Sequence, residues 1–168
     1  MAATMYSMSV PIFVRTLGNL SAILDKAAAH AQAKKIDPSV LLQMRLYPDM
    51  FALTRQVQLA CDFTKNTVAR LAGQEPPKFE DSETTIDQLK ARITRTVEFV
   101  QGFKAALFEG ADTREISIKI RDQTQTYTGQ IYLAHFALPN FFFHATTAYD
   151  ILRHAGVELG KRDFVGNS

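Results

Sequence analysis

The chain has 168 residues, 46% of them hydrophobic, and a formal net charge of +2. This length and apolar content suit one compact domain spanning residues 1–168. The small charge, whose densest basic spots are Lys34-Lys35 and Lys161-Arg162, argues against the clustered basic face of a nucleic-acid-binding protein.

Membrane and secretory signals are not found in the sequence. No stretch approaches the roughly 20 apolar residues that span a bilayer, and the N-terminus lacks the basic and apolar regions of a secretory signal. Cys61 is the single cysteine, so no intrachain disulfide can form. A reducing compartment suits such a chain, and we expect a cytoplasmic protein with no membrane or nucleic-acid partner.

Apolar residues recur at helical spacing in four stretches, each of which predicts a helix. The predicted helices cover 10–33, 50–71, 86–109 and 129–156. Asp49 is expected in the first turn of the second helix, where a carboxylate suits the helix dipole. Four amphipathic helices of this length bury their apolar stripes together as a four-helix bundle.

Residues 114–127 change from helical to alternating periodicity. Ile116, Ile118 and Ile120 alternate with polar residues, which indicates a strand. We expect a short β-hairpin or an extended crossover before the last helix, with its isoleucine face packed on the bundle. The predicted fold is therefore all-α, a four-helix up-down bundle with this one interruption.

The last predicted helix carries Pro139 in its interior. Proline lacks an N–H and crowds the carbonyl four residues back, so we expect a kink or a restarted helix there. A restart would place Asn140 near a new helix N-terminus. Residues 1–8 and 157–168 are predicted to be tails. The core stripe of the last helix is predicted to be Phe136, Asn140, Phe143, Thr147 and Ile151.

Three segments resemble a known family: RLYPDMFALTRQVQLACDF (45–63), ALPNFFFHATTAYDILRHAGVELGKRDF (137–164) and the helix between them. They look like an uncharacterised bacterial family, one of the domains of unknown function grouped with the DinB/YfiT-like four-helix bundles. The resemblance covers nearly the whole chain and is most specific at FFFHATTAYDILRHAGV. It implies a DinB-like bundle, and many members of that superfamily are homodimers.

The resemblance also implies a metal site in reduced form. Members of the superfamily resemble one another in a three-histidine metal site, with one histidine from the second helix and two from an HxxxH pair on the fourth. Several members are thiol-dependent transferases. His144 matches the second histidine of that pair, but Asn140 stands at the first. The second-helix ligand should fall within 59–62, which contains no histidine. A divalent metal is therefore disfavoured, and His144 would be its ligand if one bound.

The residues around His144 suggest a polar cluster. Asn140 and His144 are four residues apart and share a face of the last helix, and Gln58 and Asp62 are spaced in the same way on the second. If these faces meet, Asp62 could accept the imidazole proton of His144, raise its pKa and form a general base. The same cluster could instead have only a structural role, as a static set of buried polar contacts that we call a polar lock.

Three further residues have alternative interpretations. Tyr149 and Arg153 also lie four residues apart, and they either pack at the helix end or form the rim of an anion pocket. Cys61 lies in the middle of a helix among apolar neighbours, which favours a buried, inert thiol over a nucleophile.

Three functional hypotheses follow. The first is a small-molecule-binding protein or weak enzyme built around His144 and Asp62, with Asn140, Gln58, Tyr149 and Arg153 as further ligand-binding candidates. The second is a non-catalytic dimeric structural or stress-related protein with a sealed polar core. The third is a divalent-metal-dependent transferase or hydrolase. Exposure of His144 separates the first two, because a working site needs a cavity that solvent can enter.

Overall fold

Four long helices dominate the computed structural model of the chain, which describes residues 3–166. The first part contains α1 (Val10–Lys34), α2 (Pro38–Gln43), α3 (Leu53–Leu71), α4 (Ile86–Gln101) and a 3₁₀ turn (Ala105–Phe108). The second part contains β1 (Glu115–Ile120), β2 (Gln123–Thr128), α5 (Gly129–Ile131), a π-helical segment (Tyr132–Ala137), α6 (Leu138–His154) and α7 (Lys161–Val165).

The bundle is formed by α1, α3, α4 and α6, which confirms the predicted all-α fold. Both α1 and α3 pack against α4 and against α6, and the contact between α3 and α6 is the most extensive of these. Aromatic and aliphatic side chains fill the core, including Phe13, Leu24, Leu89 and Phe141. Polar residues that face each other between α3 and α6 are therefore enclosed by the bundle. None of the helices within residues 3–166 combines the length and the hydropathy needed to cross a membrane.

A β-hairpin precedes the last helix, as one of the two predicted alternatives had it. The strands pair antiparallel from Glu115 with Thr128 to Ile120 with Gln123. A two-residue turn joins them, and Arg121 at its first position has a φ of 55°, in the left-handed region common in tight hairpins. Ile116 and Ile118 are buried against the bundle, which confirms the predicted isoleucine face.

Two predicted helix boundaries are wrong. The second bundle helix begins at Leu53, so Asp49 lies in the turn before it and not in its first turn. The third ends at Gln101, eight residues before the predicted end. The predicted stripe continued through Phe103 and Leu107, but Phe103 is buried in a loop and Leu107 is 41% exposed in a 3₁₀ turn. Apolar residues at helical spacing therefore extended the predicted helix beyond its end.

Pro139 does not restart the last helix at Asn140. The chain passes from α5 through the π-helical segment into α6, and Ala137 and Leu138 keep helical dihedral angles. Proline offers no N–H to the turn before it, and that turn takes the wider i→i+5 hydrogen-bond pattern of a π-helix. Asn140 is consequently inside a continuous helical path and not at a new N-terminus.

The core face of α6 differs from the predicted stripe. Phe143 is 55% exposed, whereas Phe141, His144, Ala145 and Ala148 are buried. Because Phe141, Phe142 and Phe143 are consecutive, the apolar pattern does not show which of them faces the core. The prediction chose Phe143, whereas the structure buries Phe141. Thr147 and Ile151 are buried as expected.

The predicted C-terminal tail is partly structured. Val157 and Leu159 are buried, and residues 161–165 form α7, contrary to the expected irregular segment. The backbone carbonyl of Phe164 accepts a hydrogen bond from Asn19 Nδ2 on α1 at 2.9 Å. Residues 1, 2, 167 and 168 of the two predicted tails lie outside the described residues.

Candidate functional site

His144 lies on α6 and is hydrogen-bonded to Gln56 on α3. Its Nδ1 is 2.7 Å from Gln56 Oε1, and only 8% of the residue is exposed. The imidazole stacks on the ring of Phe63 with a centroid separation of 5.6 Å and an interplanar angle of 21°. Gln56 and Phe63 are seven residues apart, so they occupy the same face of α3. This face and α6 enclose the histidine.

The hydrogen bonds of Gln56 fix the tautomer of His144. Gln56 Nε2 donates to the carbonyl oxygen of Phe51 at 3.1 Å, so Oε1 is the atom that faces the imidazole. Because an amide oxygen only accepts, Nδ1 of the neutral His144 ring carries the proton. Nε2 therefore keeps its lone pair. A metal-binding histidine is often held in the same way, through the N–H of its other ring nitrogen.

The pKa of His144 is lowered from 6.5 to about 4. Burial is the larger cause because it disfavours the charged imidazolium, and the positive charge of Arg55 adds to it. The sequence-based expectation of a raised pKa is therefore wrong. It required a carboxylate beside the ring, and the partner in the structure is the neutral amide of Gln56.

Asp62 belongs to a separate group of charges around Arg92, whose side chain is only 2% exposed. Arg92 Nη2 lies 2.9 Å from both Asp62 Oδ1 and Asp81 Oδ1, and Nη1 lies 3.1 Å from Glu83 Oε1. We call Arg92 and these three carboxylates the Arg92 cluster. Burial alone would lower the pKa of Arg92, but the hydrogen bond that it donates to Glu83 and the charge of Asp62 outweigh burial and raise that pKa.

The predicted pairing of Asp62 with His144 is not formed. Asp62 is six residues after Gln56, an advance of about 600° on an α-helix, so it points roughly 120° away from the face that meets His144. Gln58 also faces the Arg92 cluster, where its Nε2 donates to Glu83 Oε2 at 2.9 Å. The second-helix half of the predicted cluster therefore faces the segment before α4 and not α6.

Asn140 shares a helical face with His144 but bonds elsewhere. Its Nδ2 donates to the carbonyl oxygen of Phe136, one turn earlier, at 2.7 Å. The four residues predicted to form one cluster are therefore separated in the structure. His144 lies at the α3–α6 interface, and Asn140 bonds within its own helix. Asp62 belongs to the Arg92 cluster, and Gln58 contacts it.

Tyr149 and Arg153 contact the C-terminal segment. The ring of Tyr149 is 5.8 Å from that of Phe164, and Arg153 Nη1 donates to the carbonyl oxygen of Leu159 at 2.6 Å. These contacts hold the segment that follows α6 against the bundle. No hydrogen bond links either residue to His144 among residues 3–166.

Cys61 is fully buried, and burial raises the pKa of its thiol to about 12. The thiolate is the nucleophilic form, and a pKa this high leaves almost none of it near neutral pH. The side chain acts as a small apolar group in the core.

The donor set does not fit the metal site of the superfamily. Zinc sites use three or four protein ligands, with His, Cys, Asp and Glu as the usual donors. Within residues 3–166, no three such side chains are placed to hold one ion. His144 presents one suitable nitrogen, but Asn140 is bonded to the backbone and the facing side chain on α3 is Gln56.

Gln56 and Phe63 are the two residues at this site that sequence reasoning missed. Gln56 lies one turn before the positions expected for the second-helix ligand. A signal was available, because Gln56 is a polar residue flanked by Leu53, Val57 and Ala60 in the apolar stripe of α3. Buried polar side chains of this kind usually have a partner.

Comparison with known proteins identifies the family. A family model described as "Domain of unknown function (DUF1993)" matches residues 5–165. The crystal structure of a DinB family member protein from Shewanella denitrificans is 48% identical in sequence, covers 97% of this chain and 92% of that chain, and superposes with a TM-score of 0.92. A comparison with curated proteins gives no match. The chain therefore belongs to the DUF1993 family of unknown function, within the DinB-like superfamily.

Proposed function

We propose that this protein is a non-catalytic, metal-independent bundle that works as a homodimer in the cytoplasm, with His144 as a buried polar lock. The observation that carries the proposal is the state of His144, which is 8% exposed, bonded through Nδ1 and lowered in pKa to about 4. A general base is most effective when its pKa lies near the working pH. A neutral histidine with so low a pKa is a weak base.

The hydrogen bonds around His144 are those expected of a lock. They run from the Phe51 carbonyl through Gln56 to His144, and so connect the loop before α3, α3 itself and α6. Buried polar groups destabilise a fold unless they are paired, and a paired group favours the one helix alignment that satisfies it. The lock therefore supports the alignment of α6 on α3.

The competing hypotheses receive less support at this position. A ligand-binding site or weak enzyme centred on His144 needs an open cavity beside the ring. A groove of about 760 Å³ exists, but its lining does not include His144. A metal-dependent transferase or hydrolase would need donors that the α3–α6 interface does not supply.

The proposed dimer would use exposed aromatic side chains, two of which belong to residues beside the lock. Tyr47, Phe51 and Phe143 are 66%, 55% and 55% exposed, and we call them the aromatic surface. The ring centroid of Phe143 is 5.2 Å from that of His144, and the Phe51 carbonyl binds Gln56. Large exposed apolar groups commonly mark association sites, and two copies of one surface can pair about a twofold axis.

Elemental analysis of the purified, tag-free protein tests the central claim, with His144→Ala as the matched control. We expect no stoichiometric zinc, nickel, iron or manganese in either protein, and no change in thermal midpoint when these ions are added. The proposal would be wrong if the wild type held nearly one metal ion per chain and His144→Ala lost it. That result would restore the metal-dependent hypothesis.

A further inference from the structure

A groove of about 760 Å³ lies at the junction of three chain segments, residues 3–8, 105–112 and 130–138. We call it the N-terminal groove. Its volume is within the range of cavities that hold small molecules. The groove shares no lining residue with the Gln56–His144 pair or the Arg92 cluster, so a ligand bound here would not depend on either.

Residues 3–8 form the outer wall of the groove, and hydrogen bonds hold this segment in place. In the turn that precedes α1, the hydroxyl of Ser7 accepts from the Thr4 N–H at 2.9 Å, and the hydroxyl of Thr4 accepts from the Ser7 N–H at 3.1 Å. The ring of Tyr6 packs edge-on against Phe108 with centroids 5.3 Å apart. A preformed wall lowers the entropic cost of binding.

The other two walls are joined at a close backbone approach. Gln130 N–H donates to the carbonyl oxygen of Asp112 at 2.9 Å. At the neighbouring Gly129, an added Cβ would overlap the carbonyl oxygen of Ala111. Glycine is therefore required where the 105–112 segment meets the start of the last helix. The π-helical segment then contributes Leu133 and Ala134 to the lining.

The lining combines apolar side chains with negative charge. Its apolar part includes Met5, Met8 and Leu138, and thioether side chains adapt easily to ligands of varied shape. Among its described lining residues, Glu109 and Asp112 are the only ones with charged side chains, and the described part of the chain offers neither carboxylate an ion-pair partner. An apolar groove with two unpaired carboxylates is complementary to an apolar molecule that carries a positive charge.

We propose that the N-terminal groove binds a small amphipathic cation, with its apolar body against the methionines and its protonated amine beside Glu109 and Asp112. The occupant is a small molecule because the groove has the volume of a ligand cavity and is walled on three sides by ordered backbone. The two carboxylates disfavour an anionic ligand such as a fatty acid.

Three probes of matched shape test the proposal: phenylbutylamine, which is cationic, phenylbutanol, which is neutral, and phenylbutyrate, which is anionic. Binding to the full chain is followed by NMR of ¹³C-labelled methionine methyl groups. We expect phenylbutylamine to shift the Met5 and Met8 signals saturably while Met44 and Met50 stay unchanged. Phenylbutanol should bind about three- to tenfold more weakly, the contribution expected of two exposed charge pairs, and phenylbutyrate more weakly still.

The double variant Glu109→Gln with Asp112→Asn tests whether the two negative charges are needed for binding, because it removes them with little change in side-chain shape. We expect it to bind phenylbutylamine as weakly as phenylbutanol, with phenylbutanol affinity unchanged. Glu98→Gln with Asp49→Asn removes the same charge from other exposed positions and should bind phenylbutylamine like the wild type. The proposal is overturned if phenylbutylamine leaves Met5 and Met8 unshifted, or if phenylbutyrate binds as tightly as the amine.

Discussion

His144 couples the stability of the protein to pH. Its folded-state pKa of about 4 lies below the ordinary 6.5, so between these values the unfolded chain binds more protons than the folded one. The free energy of unfolding therefore falls as the pH drops through this interval. For the full shift the loss is up to about 3 kcal/mol. Urea unfolding across that pH range, compared with His144→Gln, measures it.

The variant should lose less stability than the wild type over the same interval, because glutamine does not titrate. His135→Gln is the matched control, since His135 is exposed on the preceding π-helical segment. Its pH dependence should follow the wild type. Parallel curves for the wild type and His144→Gln would contradict the assignment.

Gln56 sets the protonation behaviour of His144. Replacing it by glutamate puts a carboxylate where Oε1 now lies, 2.7 Å from Nδ1. An opposite charge at that distance favours the imidazolium, so Gln56→Glu should raise the pKa of His144 from about 4. NMR titration of the imidazole carbon signals measures the shift. An unchanged or lower pKa would mean that the side chain at position 56 does not control the ring.

At the scale of elements, the Arg92 cluster fixes the segment between α3 and α4. Arg92 lies on α4, Asp62 on α3, and Asp81 and Glu83 on the connecting segment. Removing the buried guanidinium would leave Glu83 without a cation among the described residues, whereas Asp62 would keep Lys65 and Asp81 would keep Arg55. We expect Arg92→Ala to lower the free energy of unfolding by about 3 kcal/mol, the lower end for a buried pair broken on one side, because two of the carboxylates keep another cation. Chemical denaturation provides the measurement.

Arg95 is a suitable comparison because it is also an arginine on α4. Its guanidinium carbon lies 3.8 Å from the ring centroid of Phe79, but the residue is exposed. Arg95→Ala should cost about 1 kcal/mol or less, the range of an exposed cation–π contact. Equal losses for the two variants would show that burial of Arg92 is not the deciding factor.

Two glycines in helices should respond oppositely to the same substitution. A Cβ at Gly129 overlaps the Ala111 carbonyl, whereas at Gly18, inside α1, nothing lies within 4 Å of it. We expect Gly129→Ala to destabilise the protein by about 1–3 kcal/mol or more through overpacking. Gly18→Ala should stabilise it by about 0.5–1 kcal/mol, because alanine loses less conformational entropy in a helix. Thermal unfolding distinguishes the two outcomes.

For the whole molecule, we expect a homodimer held by the aromatic surface. Phe143→Ser should shift the protein from dimer to monomer in sedimentation velocity experiments. Leu107→Ser is the control, because Leu107 is also a large exposed apolar residue, at 41%, but lies in the 3₁₀ turn. A monomeric wild type would remove the dimer from the proposed function and leave the lock at His144 untouched.

The sequence predicts the bundle well because amphipathic periodicity is a local property of the chain. The stripes of α1 and α3 and the isoleucine alternation in β1 need no tertiary information. The site is less predictable, since Gln56 and His144 are 88 residues apart in sequence and face each other only if their two helices have the right rotation. The same limit applies to Asp62, whose charge partner Arg92 is 30 residues away on another helix.

The π-helical segment also bears on how this chain tolerates insertions and deletions. A π turn holds one residue more than an α turn would need over the same span. Deleting one residue from 132–137 would give an ordinary α-helix over the same span, so His144 would still face Gln56 and Phe143 would stay exposed. A deletion between Leu138 and Phe143, within α6 itself, has no extra residue to absorb it and would rotate His144 by about 100°. The π-helical segment is therefore the place where this part of the chain can lose one residue without altering the lock or the aromatic surface.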